Sequence, residues 1–124
     1  MQVYYAHCMS IYHTPQEKRD IELLESLGFV VLNPSHPDIE EAFQEFLKDS
    51  TLYPPMYFWH MKIEKCDVLA FKALPDGSIS AGVASEIEYA NKLGKPVFEI
   101  PTGIGRRTQT LEQTREYLRE VGQR

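Results

Sequence analysis

Short apolar runs alternate along the chain with longer stretches in which apolar residues recur every three or four positions. The runs have the length of buried strands and cover residues 3–6, 29–32, 68–71 and 96–100. The stretches with helical spacing cover residues 15–27, 40–48, 56–63 and 81–93, with a last one from Thr110. This order predicts an α/β fold in which right-handed crossovers place helices on both faces of a mostly parallel sheet.

The ends of two predicted helices carry distinct signals. Thr14, Pro15 and Glu17 have the spacing of a capping box, in which the threonine caps free amides and the proline occupies the first helical position. Gly28 follows the last apolar position of this helix and predicts a left-handed stop. Gly94 ends the helix that begins near Ala81.

Parallel sheets of this kind bind ligands at the carboxyl ends of their strands, beside the point where the strand order reverses. The loops that follow Ala6, Phe71 and Ile100 leave the predicted sheet at that edge. We therefore expect these three loops to line one pocket.

Composition excludes several classes of function. The chain has 124 residues, which fits a single domain over residues 1–124. Its 13 basic and 18 acidic side chains give a net charge of −5, which argues against binding a nucleic-acid polymer through its phosphates. No apolar run approaches the roughly 18 residues of a membrane span, and the first residues lack a signal-peptide pattern. We expect a cytoplasmic protein that does not contact a membrane.

The cysteines and histidines do not have metal-binding spacing. Cys8 and Cys66 do not make a disulfide framework and are expected to be free thiols. The four histidines form no Cys-x-x-Cys or His-x-x-x-His pattern, so no metal site is predicted. Cys8 beside His7 has two interpretations, a thiolate nucleophile or a buried inert thiol.

The helix predicted over residues 81–93 carries a candidate nucleophile. Val83, Ile87 and Ala90 form its buried stripe, and Glu86 borders that stripe near the positive end of the helix dipole. We expect this setting to keep a half-buried carboxylate ionised and therefore nucleophilic. Glu88 points away and is expected to be solvated. The alternative interpretation of Glu86 is an acid that only compensates the dipole.

Aromatic residues are dense in one segment that has no clear strand pattern. They are Tyr53, Tyr57, Phe58 and Trp59. One interpretation is a hydrophobic lid or a dimer surface, and the other is a surface on which a base stacks.

Four short motifs stand in order along the chain. They are Val-Tyr-Tyr-Ala at residues 3–6, Asp-Val-Leu-Ala at 67–70, Gly-Val-Ala-Ser-Glu-Ile-Glu-Tyr-Ala at 82–90 and Gly-Lys-Pro-Val at 94–97. With these motifs the chain resembles the nucleoside 2-deoxyribosyltransferase superfamily, including its nucleoside 5′-monophosphate N-glycosidase branch. The resemblance covers most of the chain and is weakest over residues 35–64.

The resemblance implies a flavodoxin- or Rossmann-like three-layer sandwich with a mostly parallel sheet of four to five strands. It also implies cleavage or transfer at the N-glycosidic bond of a (2-deoxy)nucleoside or nucleoside 5′-monophosphate. The family glutamate, which matches Glu86, attacks the anomeric carbon and forms a covalent glycosyl intermediate. The residue matching Tyr4 orients it, and the one matching Asp67 lies near the nucleobase. A non-catalytic nucleotide-binding or sensing module of the same fold is the alternative.

The resemblance implies further substrate contacts around the start of the same helix. Asp76 matches a sugar or base contact, although Asp76-Gly77 also has the sequence of an ordinary turn. Ser80 stands six residues before the family glutamate, where the monophosphate hydrolases tend to carry a serine for the 5′-phosphate. With Ser78 and Gly82 it supplies hydroxyls and free amides that suit an anion. Ser80 as a plain N-cap is the other interpretation.

The first loop departs from the family pattern. Relatives usually carry glycine after the first strand, whereas residues 7–10 here are His-Cys-Met-Ser. We expect this bulkier loop to narrow the sugar site or to change its contacts, and His7 is an expected substrate contact. Farther along, Arg106 and Arg107 follow the last strand, where they either hold a phosphate or belong to a solvated basic loop.

The resemblance implies neither a metal nor an organic cofactor. The expected partner is a small-molecule nucleoside or nucleotide, and the expected assembly is a homodimer or a higher homo-oligomer. Nucleic-acid polymers and membranes are not expected partners.

Overall fold

The computed structural model describes residues 1–49 and 54–101. Within those ranges the chain forms four strands and four α-helices. The strands are β1 (Gln2–Ala6), β2 (Val30–Leu32), β3 (Val68–Phe71) and β4 (Val97–Glu99). The helices are α1 (Pro15–Ser26), α2 (Pro37–Asp49), α3 (Met56–Glu64) and α4 (Ala81–Lys92), and a 3₁₀ helix covers Met9–Ile11.

The four strands are parallel and lie in the order β2-β1-β3-β4. Tyr4 of β1 pairs with Leu32 on one side and with Leu69 on the other, so β1 has a central position. The chain moves outward from β1 to β2 and then returns to place β3 on the opposite side of β1. The strand order therefore reverses between β1 and β3, and the predicted α/β fold with a parallel sheet is confirmed.

Helices cover both faces of the sheet. Successive side chains of β1 point to opposite faces, and both sets are buried against helices. Tyr5 of β1 packs in a buried cluster with Leu24 of α1 on one face. Tyr4 packs in a second cluster with Ile63 of α3 and Val83 of α4 on the other face. The arrangement is a three-layer sandwich in which α1 lies on one side of the sheet and α3 and α4 lie on the other.

The predicted signals at the start and end of α1 are present, with one difference. The Thr14 side chain accepts a hydrogen bond from the backbone N–H of Glu17 at 3.3 Å, and Gly28 has a φ of 92°. The Glu17 carboxylate, however, does not bond the amide of Thr14, which donates to the carbonyl of Ile11. The Glu17 carboxylate accepts instead from the backbone N–H of His13 at 3.3 Å, so the capping box is only half formed.

A buried ion pair fixes α1 against the sheet. Lys72, directly after β3, places its Nζ 3.3 Å from Asp20 Oδ1 and 2.8 Å from the carbonyl oxygen of Pro101. The other oxygen of Asp20 accepts from the Tyr5 hydroxyl at 2.5 Å, and Gln16 donates to Oδ1 at 2.8 Å. The carboxylate therefore has partners for both oxygens, as a fully buried charge requires.

Several sequence predictions lie outside the described residues. They concern Tyr53, Arg106, Arg107 and the helix expected from Thr110. Of the helices within the described ranges, none combines the length and the apolar character that a membrane crossing demands.

Candidate active site

A cavity of about 800 Å³ opens at the carboxyl end of β1, between α2, α3 and the start of α4. Apolar, aromatic and acidic side chains make up most of its wall. The lining residues are Tyr4, His7, Cys8, Met9, Tyr12, Pro34, Pro37, Glu40, Glu41, Phe43, Gln44, Met56, Trp59, Ser80, Gly82, Val83 and Glu86. The position beside the reversal of strand order is the one at which open α/β sheets bind ligands.

Tyr4 and Glu86 meet at the base of this cavity. The Tyr4 hydroxyl donates a hydrogen bond to Oε2 of Glu86. The ring of Tyr4 is fully buried, and Glu86 is 8% exposed. Strand β1 and helix α4 thus hold a phenol and a carboxyl group in contact on the wall of the cavity, the pair expected from the family motifs.

Burial opposes the ionised form that the sequence predicts for Glu86. Burial raises the pKa of Glu86 to about 7, and the hydrogen bond from Tyr4 lowers it only in part. Glu86 is the sixth residue of α4, whereas the dipole of a helix acts mainly within its first turn. Loss of hydration therefore outweighs the dipole, and the carboxyl group is divided between its neutral and charged forms near pH 7.

His7 lines the cavity, but both of its ring nitrogens have partners. Nδ1 lies 3.0 Å from the carbonyl oxygen of Tyr5, and Nε2 lies 2.7 Å from Oε2 of Glu17. The hydroxyl of Ser35 donates to the same carboxylate oxygen at 2.7 Å, and the imidazole stacks on the ring of Tyr5 at 3.8 Å. Burial lowers the pKa of His7. The ring is thus fixed in the wall, where its side chain is buried and has no free nitrogen to offer a ligand.

Cys8 lines the cavity without a histidine partner. Its sulfur accepts a hydrogen bond from the Ser10 hydroxyl at 3.3 Å. Hydrogen bonds from Ser10, followed by one from the Ser80 side chain, lower the pKa of the thiol. Because the His7 imidazole is bound to Glu17, Cys8 and His7 do not form a thiolate–imidazole pair. Cys8 is also only partly buried, which differs from an inert core thiol.

The start of α4 borders the cavity through Ser80 and Gly82. Ser80 is the N-cap, since its side chain accepts from the backbone N–H of Val83 at 3.4 Å. The plain N-cap interpretation of Ser80 therefore describes its observed hydrogen bond. Its place on the cavity wall also leaves it within the region that a ligand would occupy.

Asp67 is not brought to the cavity. It precedes β3 and so lies at the amino end of the sheet, the opposite end from Glu86. The Asp67 carboxylate is exposed and accepts from the backbone N–H of Gln2 at 2.8 Å. The contact joins the starts of β1 and β3, which is a structural role.

The loop between β3 and α4 also points away from the cavity over most of its length. Asp76 Oδ1 accepts from the backbone N–H of Ser78 at 2.9 Å and from its hydroxyl at 2.6 Å. Both residues are exposed, and neither lines the cavity. Asp76 with Ser78 thus forms the turn that the Asp-Gly pair indicates, and Gly77 has the left-handed φ of 86°. Of this loop, only Ser80 at its end reaches the wall.

Several residues that line the cavity belong to no motif of the sequence. Tyr12 follows the 3₁₀ helix, and burial together with the charge of Glu86 raises the pKa of its phenol. Glu40 and Glu41 reach the cavity from α2, and Glu40 Oε1 lies 3.4 Å from Nε2 of His13. The signal for these residues was their position, in the loop after β1 and in an acidic, amphipathic helix after β2.

Trp59 belongs to the aromatic segment for which the sequence offers a base-stacking interpretation. It lines the same cavity and packs against Phe43 at 4.8 Å.

The residues in the described ranges include no cluster of three or more His, Cys, Asp or Glu side chains that could hold a metal ion. No family model, curated protein or solved structure matches the chain. The link to the nucleoside 2-deoxyribosyltransferase superfamily therefore stays a prediction from the four sequence motifs.

Proposed function

We propose that the protein cleaves or transfers the N-glycosidic bond of a nucleoside or nucleoside 5′-monophosphate, with Glu86 as the nucleophile. The observation that carries the proposal is the hydrogen bond between Tyr4 and Glu86 on the wall of the cavity. A buried carboxyl group held by a phenol in a large open cavity has no evident structural task that a hydrophobic residue would not fulfil better.

Tyr4 has two effects on the proposed nucleophile. Its hydroxyl fixes Oε2 of Glu86, which restricts the rotation of the carboxyl group. The same hydrogen bond favours the charged form, because it lowers the pKa that burial raises. Tyr4 itself stays protonated, since burial and the charge of Glu86 raise the pKa of its phenol well above the ordinary value.

The reaction would take place in two steps that conserve the configuration at the anomeric carbon. In the first, an oxygen of ionised Glu86 bonds to C1′ while the C1′–N bond breaks and its electron pair stays on the base nitrogen. In the second, water or the nitrogen of another base attacks C1′, and the ester bond to Glu86 breaks. With water as the acceptor, its proton is lost and the free sugar is released.

Incubation with a panel of nucleosides and nucleoside 5′-monophosphates tests the proposal. Free base, or exchanged base when a second base is added, is measured by chromatography. We expect release by the wild type and a loss of more than about a hundredfold in Glu86→Gln. Glu88→Gln is the matched control, because Glu88 is exposed on the same helix. Equal rates in wild type and Glu86→Gln would remove Glu86 from the mechanism.

One observation favours the second candidate function, a module that binds a nucleotide without turnover. Asp67, the residue expected beside the leaving base, lies at the other end of the sheet. Thermal stabilisation by nucleosides or nucleotides with no release of base over the whole panel would support the binding module.

A further inference from the structure

The charged side chains in the described part of the cavity wall favour some ligands over others. Three of its lining residues are glutamates, Glu40, Glu41 and Glu86. The described part of the lining includes no lysine or arginine. Glu40 faces His13, but Glu41 has no ion pair within the described ranges. A phosphate dianion in this cavity would meet like charges, whereas a positive group would be attracted.

The helix terminus that would hold a phosphate is engaged in part. The Ser80 oxygen accepts from the backbone N–H of Val83, so one of the free amides at the start of α4 is used. This contact uses one of the groups that the sequence position of Ser80 suggested for a 5′-phosphate.

The aromatic side chains of the same cavity suit a flat positive group. Tyr12, Phe43 and Trp59 line it together with Met9 and Met56. The faces of aromatic rings attract cations, and tryptophan does so most strongly. Aromatic rings beside carboxylates select for a ligand that is both planar and positively charged.

The chemistry of the proposed reaction leads to the same class of ligand. A neutral base leaves C1′ with a negative charge unless an acid protonates it, and Asp67 does not reach the cavity. A base with a quaternary ring nitrogen takes the electrons of the breaking C1′–N bond and leaves as a neutral molecule. No proton donor is then needed for departure. The ligand's positive charge also stabilises ionised Glu86, whose neutral form burial otherwise favours.

We propose that the cavity takes N-glycosides whose base carries a positive charge and whose sugar lacks a 5′-phosphate, such as pyridinium nucleosides and N7-alkylated purine nucleosides. This inference rests on the proposed function, because it names the substrate of that same site. Attack by Glu86 on C1′ releases the neutral base and leaves the glycosyl ester. Hydrolysis of the ester by water then yields the free sugar and one proton, so charge and atoms balance.

Binding to Glu86→Gln, which is not expected to turn the ligand over, tests the inference by calorimetry. The first matched pair is nicotinamide riboside and its neutral 1,4-dihydro form. The second is 7-methylguanosine and guanosine at pH 6, and nicotinamide mononucleotide adds the 5′-phosphate. We expect the cation of at least one pair to bind roughly fivefold or more tighter than its neutral partner, and the phosphate to weaken binding. Equal or tighter binding of the neutral partners, tighter binding of the mononucleotide, or no binding of either cation at millimolar concentration would overturn the inference.

A second pair of variants separates charge from shape. Glu41→Gln in the Glu86→Gln background removes a carboxylate from the cavity wall, and we expect it to reduce the preference for the cation by about threefold. Glu45→Gln is the control, because Glu45 is exposed one turn farther along α2 and is not on the wall. An equal effect of the two variants would contradict the inference.

Turnover assays distinguish this inference from the proposed function. If the wild type releases base from neutral nucleosides or monophosphates in preference to the cationic ones, the inference fails while the proposed function stands. If it releases base from none of them, the proposed function fails as well.

Discussion

Tyr4 and Glu86 lie 82 residues apart in sequence, and the hydroxyl of one donates to the carboxyl group of the other inside the cavity. Strand β1 contributes the phenol and helix α4 the acid, so the contact depends on how the helix packs across the sheet. Val83, one turn before Glu86, is buried in the same cluster as Tyr4 and fixes that packing. The pair is therefore a product of the fold rather than of local sequence.

Replacing Tyr4 with phenylalanine should shift the pH at which the protein becomes active. The variant lacks the hydrogen bond that lowers the pKa of Glu86, so that pKa rises further. If turnover needs ionised Glu86, its acid limb moves to higher pH. The pH profile of base release measures this shift. Tyr89→Phe is the control, because Tyr89 makes a similar bond to Glu64 on the surface, and an unshifted profile in Tyr4→Phe would contradict the prediction.

Ionised Glu86 should destabilise the folded protein above neutral pH. Burial raises its pKa from 4.5 to about 7, so the folded state binds more protons than the unfolded state between these values. The contribution of neutral Glu86 to the free energy of unfolding is therefore fully present below pH 4.5, and it is lost as the pH rises through 7. Glu86→Gln should match the wild type at pH 4.5 and exceed it by ~3 kcal/mol at pH 8.

Urea unfolding between pH 4.5 and 8 measures that difference. Glu88→Gln should change stability little at any pH, because its side chain is exposed. A difference between Glu86→Gln and wild type that stays constant with pH would show that the Glu86 carboxyl group is not desolvated.

Replacing only one member of the buried pair of Asp20 and Lys72 should strongly lower the free energy of unfolding. Lys72→Met leaves the Asp20 carboxylate buried without its cation, which destabilises proteins by about 3–5 kcal/mol. A double variant, Asp20→Leu with Lys72→Met, should cost less than the sum of the single changes. Chemical denaturation of the four proteins measures the coupling. Removal of the exposed pair Glu45 and Lys48 should cost at most ~1 kcal/mol, and a similarly small cost for Lys72→Met would contradict the prediction.

Asp67→Asn should leave turnover within about twofold of wild type. The side chain lies at the amino end of the sheet, and asparagine keeps the oxygen that accepts from the Gln2 amide. Rates of base release measured under saturating conditions test this expectation. A tenfold loss would mean that Asp67 contacts the substrate, which contradicts its position at the amino end of the sheet.

The fold could be predicted because its determinants are local. The apolar run at residues 68–71 predicts the four residues that form β3. Gly28 and Gly94 have the positive φ that ends their helices. Helix boundaries differ where the sequence signal is weak. Helix α2 begins three residues before the predicted Glu40. Proline and two acids at the start of that helix extend it in the structure.

The site was harder to predict because it depends on which end of each strand a residue occupies. Asp67 precedes its strand and so lies at the amino end of the sheet, whereas ligands bind at the carboxyl end. This rule already excludes Asp67 from the site that contains Tyr4. Motif matching alone placed the two together. The lysine of the Gly-Lys-Pro-Val motif likewise has a structural task, since Lys95 Nζ lies 3.0 Å from the carbonyl oxygen of Glu64 at the end of α3.

Tertiary contacts also changed roles that local patterns had suggested. Glu17 has the position of a capping-box acid, but its carboxylate binds His7 and Ser35 from other elements. Sequence position predicts Glu86 as half-buried and ionised, whereas packing leaves it only 8% exposed. The degree of burial, which sets both results, follows only from the packed structure.

The most direct test of the account is mass spectrometry of protein quenched with acid during turnover. The account predicts a glycosyl adduct of one sugar on the peptide that contains Glu86, formed with wild type and absent from Glu86→Gln. An adduct on another side chain, such as Cys8 or Glu40, or base release with no adduct at any quench time, would contradict it.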